Sequence, residues 1–160
     1  MAHTRYDNNL MVKILPATFT STSGVSWVDV TGFSLPVMAN TSYEFEFEII
    51  FQTSATNRGI GFGLNGPASP TSMVIYSQYP VSLTTVQYRM ARAYNTIVSA
   101  SNDVDLANTN MYGRCYGNFV NGANAGDLIL SILGERSHSS PSYSIMANSV
   151  MKLWRTSPIN

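Results

Sequence analysis

Charge is scarce in this chain. Only 11 % of its 160 residues are charged, nine Lys plus Arg against nine Asp plus Glu, for a formal net charge of zero. That is well under the quarter or so typical of a soluble domain, and it excludes a strongly basic nucleic-acid binder and an acidic solvating tail. Cysteine is almost missing as well. Cys115 alone excludes an internal disulfide framework and zinc sites built on Cys pairs. Two histidines, His3 and His138, leave little for metal chemistry. No apolar run approaches the roughly eighteen residues of a membrane helix, so no membrane partner is expected. Met1–Asp7 lacks the apolar centre of a signal peptide, so the expectation is a protein made in the cytoplasm. No stretch combines a helical apolar face with caps.

What is present is uncharged polarity. Ser, Thr, Asn and Gln make up about a third of the chain. A near-neutral, charge-poor surface tends to associate, which predicts a protein packed against copies of itself or a larger body. The length suits one domain with a sizeable core.

The clearest pattern is Tyr43-Glu44-Phe45-Glu46-Phe47-Glu48-Ile49-Ile50-Phe51, where aromatic and aliphatic residues occupy the odd positions. Strict period-two alternation predicts a half-buried antiparallel strand with one wet face. Shorter runs at Ser26–Val30 and Phe33–Met38 are separated by Thr31-Gly32, and Pro36 places the second at an edge or bulge because it donates no ladder hydrogen bond. Ile60, Phe62 and Leu64 alternate with Gly59, Gly61 and Gly63, a strand bare on one face, which implies close approach by another backbone or side chain. Further strands are expected within Met73–Tyr79, Val86–Tyr94, Met111–Val120, Asp127–Leu133 and Ser149–Arg155, with turns rich in Gly, Pro, Asn and Ser between them. The prediction is an all-β, jelly-roll-like sandwich of about eight strands with a short N-terminal arm. Residues 1–16 form that arm or a first strand, and residues 17–160 form the sandwich.

Several strings look chemical, and each has a plainer structural reading. Gly61-Phe62-Gly63-Leu64-Asn65-Gly66 matches the dinucleotide fingerprint in letters. That motif needs a helix N-terminus to hold pyrophosphate, and here Pro67 and Pro70 follow. No cofactor is expected. Cys115 shares a strand face with Met111, Gly113 and Phe119 and reads as a small buried hydrophobe. His138 lies in a Ser- and Pro-rich loop with no acidic motif beside it. Glu44, Glu46 and Glu48 line one strand face, where the plain reading is pairing with Arg or Lys on adjacent strands. Asp103 and Asp105 offer a pair of carboxylates, but calcium would want further Asp, Asn or carbonyl oxygens converging from loops. Tyr79, Tyr94 and Tyr143 are candidates either for a sugar or for the core. No catalytic residue and no metal ligand is expected.

The order of segments resembles a family of small all-β virion proteins of tailed bacteriophages. The resemblance rests on Trp27–Val37, Tyr43–Phe47, the block Thr56–Ala68 containing Gly59-Ile60-Gly61-Phe62-Gly63-Leu64-Asn65-Gly66-Pro67, and the ending Ile145–Trp154, where the family often has Gly in place of Asn148. It covers roughly residues 25–155. It implies a trimeric jelly roll on the virion, either a capsid cement (decoration) protein on the outer head surface or a tail-fibre or tail-tip domain that binds a receptor or carbohydrate. The chain shows no shaft-like repeat, which favours the cement role. The expected partners are copies of the chain and the major capsid protein, without nucleic acid. Candidate contact residues are Tyr6, Leu10, Met11 and Ile14 in the arm, as apolar groups on a polar terminus, and Gly59, Gly61 and Gly63 on the bare strand face. Deleting residues 1–14 is expected to abolish head binding and leave a folded trimer.

Overall fold

The computed structural model describes residues 9–22, 26–82, 84–96, 103–135 and 142–156. Among these, eleven strands form two antiparallel sheets: β1 (Leu10–Ile14), β2 (Phe19–Ser21), β3 (Val28–Val37), β4 (Ser42–Thr53), β5 (Ile60–Asn65), β6 (Ser72–Ser82), β7 (Thr85–Ala91), β8 (Met111–Val120), β9 (Gly126–Gly134), β10 (Tyr143–Ile145) and β11 (Val150–Arg155). The larger sheet runs β1-β11-β4-β8-β6-β7, with β10 bridging β4 to β2. The smaller runs β3-β9-β5. The two layers make a β-sandwich consistent with a jelly roll.

The alternation in β4 decides which way the large sheet faces. Tyr43, Phe45, Phe47, Ile49 and Phe51 are buried, and the glutamates between them point the other way. β8 repeats the pattern, burying Met111, Cys115 and Phe119 on the same side. Opposite them the small sheet contributes Phe33, Leu35, Ile60, Phe62, Leu64, Leu128, Leu130 and Ile132. Each such side chain adds roughly 1.5–3 kcal/mol of burial. Edge-to-face rings lock the layers together, Phe33 to Phe47 at 5.4 Å and Phe62 to both Phe51 at 5.3 Å and Tyr79 at 5.6 Å. One buried polar bond joins them too: Ser77 Oγ donates to the Phe62 carbonyl at 2.6 Å.

Several strands depart from the sequence reading. Thr31-Gly32 does not end a strand. The chain stays in one strand, β3, and absorbs the extra residues as a register shift between Asp29 and Ser34, with Gly32 at φ 81°. Pro36 lies on this strand, which is an end strand of the small sheet, where its missing N–H does no harm. The sandwich has eleven described strands rather than about eight, because β1 and the three-residue β2 and β10 are all ladder-paired. Asn121, inside a predicted turn, is buried. Its amide donates to the carbonyls of Met38 at 2.8 Å and Asn124 at 2.7 Å, tying two loops together.

Candidate binding face of the large sheet

The outward face of the large sheet is where exposed chemistry collects. Register places its side chains in rows that cross the strands. One row reads Val12, Lys152, Glu46, Tyr116, Tyr76, Met90. The next reads Ile14, Val150, Glu48, Arg114, Gln78, Tyr88. A third, on the opposite flank of the first, reads Leu10, Trp154, Glu44, Asn118, Val74.

The centre of this face is an ion-pair ladder. Arg114 Nε donates to Glu46 Oε1 at 2.5 Å, and Lys152 Nζ meets Glu48 Oε1 at 2.7 Å and Glu46 Oε2 at 4.0 Å. Glu46 and Glu48 thus meet Arg and Lys on the flanking strands, as expected of a solvated strand face, while Glu44 makes no ion pair among the described residues. Glu46 is the most enclosed of the set, its side chain 14 % exposed against 39 % for Arg114. The hydrogen bond to Glu46 raises the Arg114 pKa, and that to Glu48 raises the Lys152 pKa. Burial, then the neighbouring Glu48 charge, raises the Tyr112 phenol.

Apolar groups are exposed mainly toward the two ends of the sheet. Val12 and Ile14 protrude on β1, and Val86, Tyr88 and Met90 on β7, with Tyr112 and Tyr76 on the strands between. Among the described residues both β1 and β7 are end strands, so one side of each backbone has no strand partner there.

Between Trp154 and the Tyr76/Tyr116 pair lies a shallow cleft of about 280 Å³. Glu44, Glu46, Arg114 and Asn118 line it, and Phe45 and Gly117 form its floor. Tyr76 and Tyr116 stack with centroids 5.7 Å apart and planes 22° from parallel. The Arg114 guanidinium sits 4.7 Å over the Tyr116 ring. Gly117 admits no side chain, because a Cβ there would fall 1.9 Å from the Val74 carbonyl oxygen.

The predicted contact residues are dispersed. Tyr6 lies outside the described residues, as do His3 and His138. Leu10–Ile14 is a strand of the large sheet, so its side chains alternate: Leu10 and Ile14 face outward, and Met11 packs on the core. Gly59, Gly61 and Gly63 are all buried. At Gly63 the glycine face of β5 is covered by the chain's own Trp27, whose ring would lie 2.7 Å from a Cβ there. Beside it Asp29 accepts from Ser131 Oγ at 2.5 Å and Asn65 Nδ2 at 2.8 Å.

Other candidates resolve into structure. Gly61-Phe62-Gly63-Leu64-Asn65 is strand β5. Cys115 is fully buried, and that burial pushes its thiol pKa up to about 12, a poor nucleophile. Tyr79 and Tyr143 are fully buried and Tyr94 packs against the core, so none of these three offers a ring to a sugar. The aromatic residues on the wet face, Tyr76, Tyr88, Tyr112, Tyr116 and Trp154, carry a signal the core-directed reading passes over: large rings at solvent-facing strand positions.

No protein-family model matches the chain, and no curated protein matches it. Among solved structures it is similar to the infectious bursal disease virus VP2 subviral particle, with 18 % identity and a TM-score of 0.42 over 91 % of this chain and 32 % of that one. It is also similar to structures of the Gx strain of that virus (12 % identity, TM-score 0.25, 92 % and 40 % of the two chains) and of the Gt strain (18 %, 0.26, 94 % and 38 %). This chain therefore spans between 32 % and 40 % of the length of those proteins.

Proposed function

We propose that this chain is a structural protein of a tailed-bacteriophage virion that performs no chemistry of its own. It acts as a cement protein, attaching as a homo-oligomer, a trimer by resemblance, to the major capsid protein on the outer head surface. The observation that supports this most is the pair of apolar sheet ends: Val12 and Ile14 on β1, and Val86, Tyr88 and Met90 on β7. Exposed apolar groups beside unpaired strand edges are an aggregation hazard in a monomer. They are an asset in a protein that spends its life in contact. A charge-poor surface adds to this, since little desolvation of ions opposes docking. A standard interface buries about 1,200–2,000 Å², and many such contacts across subunit junctions resist the pressure of packed DNA.

The test is stoichiometry and reconstitution. Gel densitometry of purified particles should give hundreds of copies, and heads lacking the protein should recover heat resistance when it is added back. Val12→Glu with Ile14→Glu should keep the fold and lose head binding. Absence from particles, or a handful of copies at the tail, overturns the reading. A second reading, a tail-tip carbohydrate-binding domain, is favoured by the aromatic-walled cleft, and the same copy number separates the two.

A further inference from the structure

We infer that the cleft between Trp154 and Tyr76/Tyr116 is a binding site for one uncharged hexopyranose unit of a glycan. The inference holds for a head or a tail location, because the cleft lies at the centre of the sheet face, between the apolar ends assigned to docking.

Three features carry it. The first is size and shape. Trp154 and Tyr116, the nearer ring of the stacked pair, lie on strands two steps apart in the order β11-β4-β8, which separates those strands by about 9–10 Å at the usual spacing of 4.7–4.9 Å. Aromatic residues on both sides of a cleft that wide leave room for a pyranose ring between them, and about 280 Å³ suits one sugar rather than a cofactor. Aromatic rings offer an apolar face to the C–H side of a sugar while leaving its hydroxyls free.

The second is a polar pair in the lining. Glu44 and Asn118 are register partners on β4 and β8. No hydrogen bond or ion pair among the described residues engages either side chain. The carboxylate only accepts, and the amide both donates and accepts. Side by side, they match two adjacent hydroxyls, one donating to Glu44 and one accepting from Asn118.

The third is charge. Arg114 is committed to Glu46 and to the Tyr116 ring, so it is not free for an anion. Glu44 then leaves the cleft slightly negative, which disfavours uronic and sialic acids. Among the described residues no helix terminus or basic cluster lines the cleft to compensate. An uncharged sugar remains.

The experiment uses the full chain and the fluorescence of its two tryptophans, Trp27 and Trp154. Glucose, galactose, mannose and N-acetylglucosamine are titrated against intrinsic fluorescence and by saturation-transfer NMR, with glucuronate and glucosamine as charged comparisons. At least one uncharged sugar should bind and perturb Trp154, with the signal gone in Trp154→Phe. Tyr76→Ala and Glu44→Gln, both at exposed positions, should weaken it tenfold or more with an unchanged Tm. Binding that survives Tyr76→Ala and Glu44→Gln, or that is confined to glucuronate or to glucosamine, overturns the assignment, as does no binding by any sugar. Copy number in particles does not enter, so failure here and failure of the cement role are read separately.

Discussion

Gly63→Ala tests whether the bare face of β5 serves the fold or a partner. The added Cβ would sit 2.7 Å from Cη2 and Cζ3 of Trp27. A normal carbon contact is about 3.5–4.0 Å, so the indole must retreat by about 1 Å. Overpacking of this kind costs about 1–3 kcal/mol. For a chain of this size that corresponds to a Tm lower by about 2–12 °C. Trp27→Phe removes the far ring that makes the clash, so the alanine should cost much less in that background. Urea unfolding of the wild type, both single variants and the double variant, at one protomer concentration, gives the coupling. A coupling of about 1 kcal/mol or more is expected. Additivity within about 0.5 kcal/mol would refute the steric argument. So would a Gly63→Ala protein of unchanged stability that no longer decorates heads, since the face would then be an interface.

Other outcomes follow from the same geometry. The folded Cys115 thiol holds its proton to about pH 12, while the unfolded thiol releases it near the ordinary value of 9.0. The unfolded state therefore binds fewer protons in that window, and stability should fall as pH rises from about 9 toward 12, by about 1.4 kcal/mol per unit. Alkaline unfolding should be shallower in Cys115→Ala, and thiol reagents should label Cys115 only after denaturation. Phe47→Ala empties a fully buried position that meets Phe33 edge-on and should cost about 3–5 kcal/mol in urea melts. Glu46→Gln removes the negative charge that pairs with Arg114 and should cost about 1 kcal/mol, less in high salt. Deleting residues 1–14 should lower Tm and solubility rather than leave a sound body, because it strips β1 from β11 and lifts Met11 off the core.

Much of this architecture is legible from period-two patterning alone. β4 and β8 alternate cleanly because one side meets the core and the other meets water, and their boundaries are close to those the pattern implies. β2 and β10 are invisible for a physical reason. Three residues are too few to show a period, and their existence depends on ladder bonds to each other and to β4. Thr31-Gly32 misleads because a turn-like pair serves as well in a bulge as in a loop. The cleft was hidden for another reason. Its walls come from four strands, and only register reveals that Trp154 and Glu44 stand beside each other. The glutamates could be read as paired, but not that Arg114 and Lys152 were the partners.

The antiparallel pairing of β1 with β11 sets Leu10 beside Trp154, and Arg155 N–H donates to the Asn9 carbonyl at 2.9 Å. Tension applied through residues 9 and 156 would therefore peel these strands apart rung by rung, the loading direction in which a ladder is weakest. Sideways drag across the body would instead load all the rungs together. A tether at those positions yields early under pull, whereas a grip spread over the flanks does not. Reporter domains fused at either position would emerge next to each other.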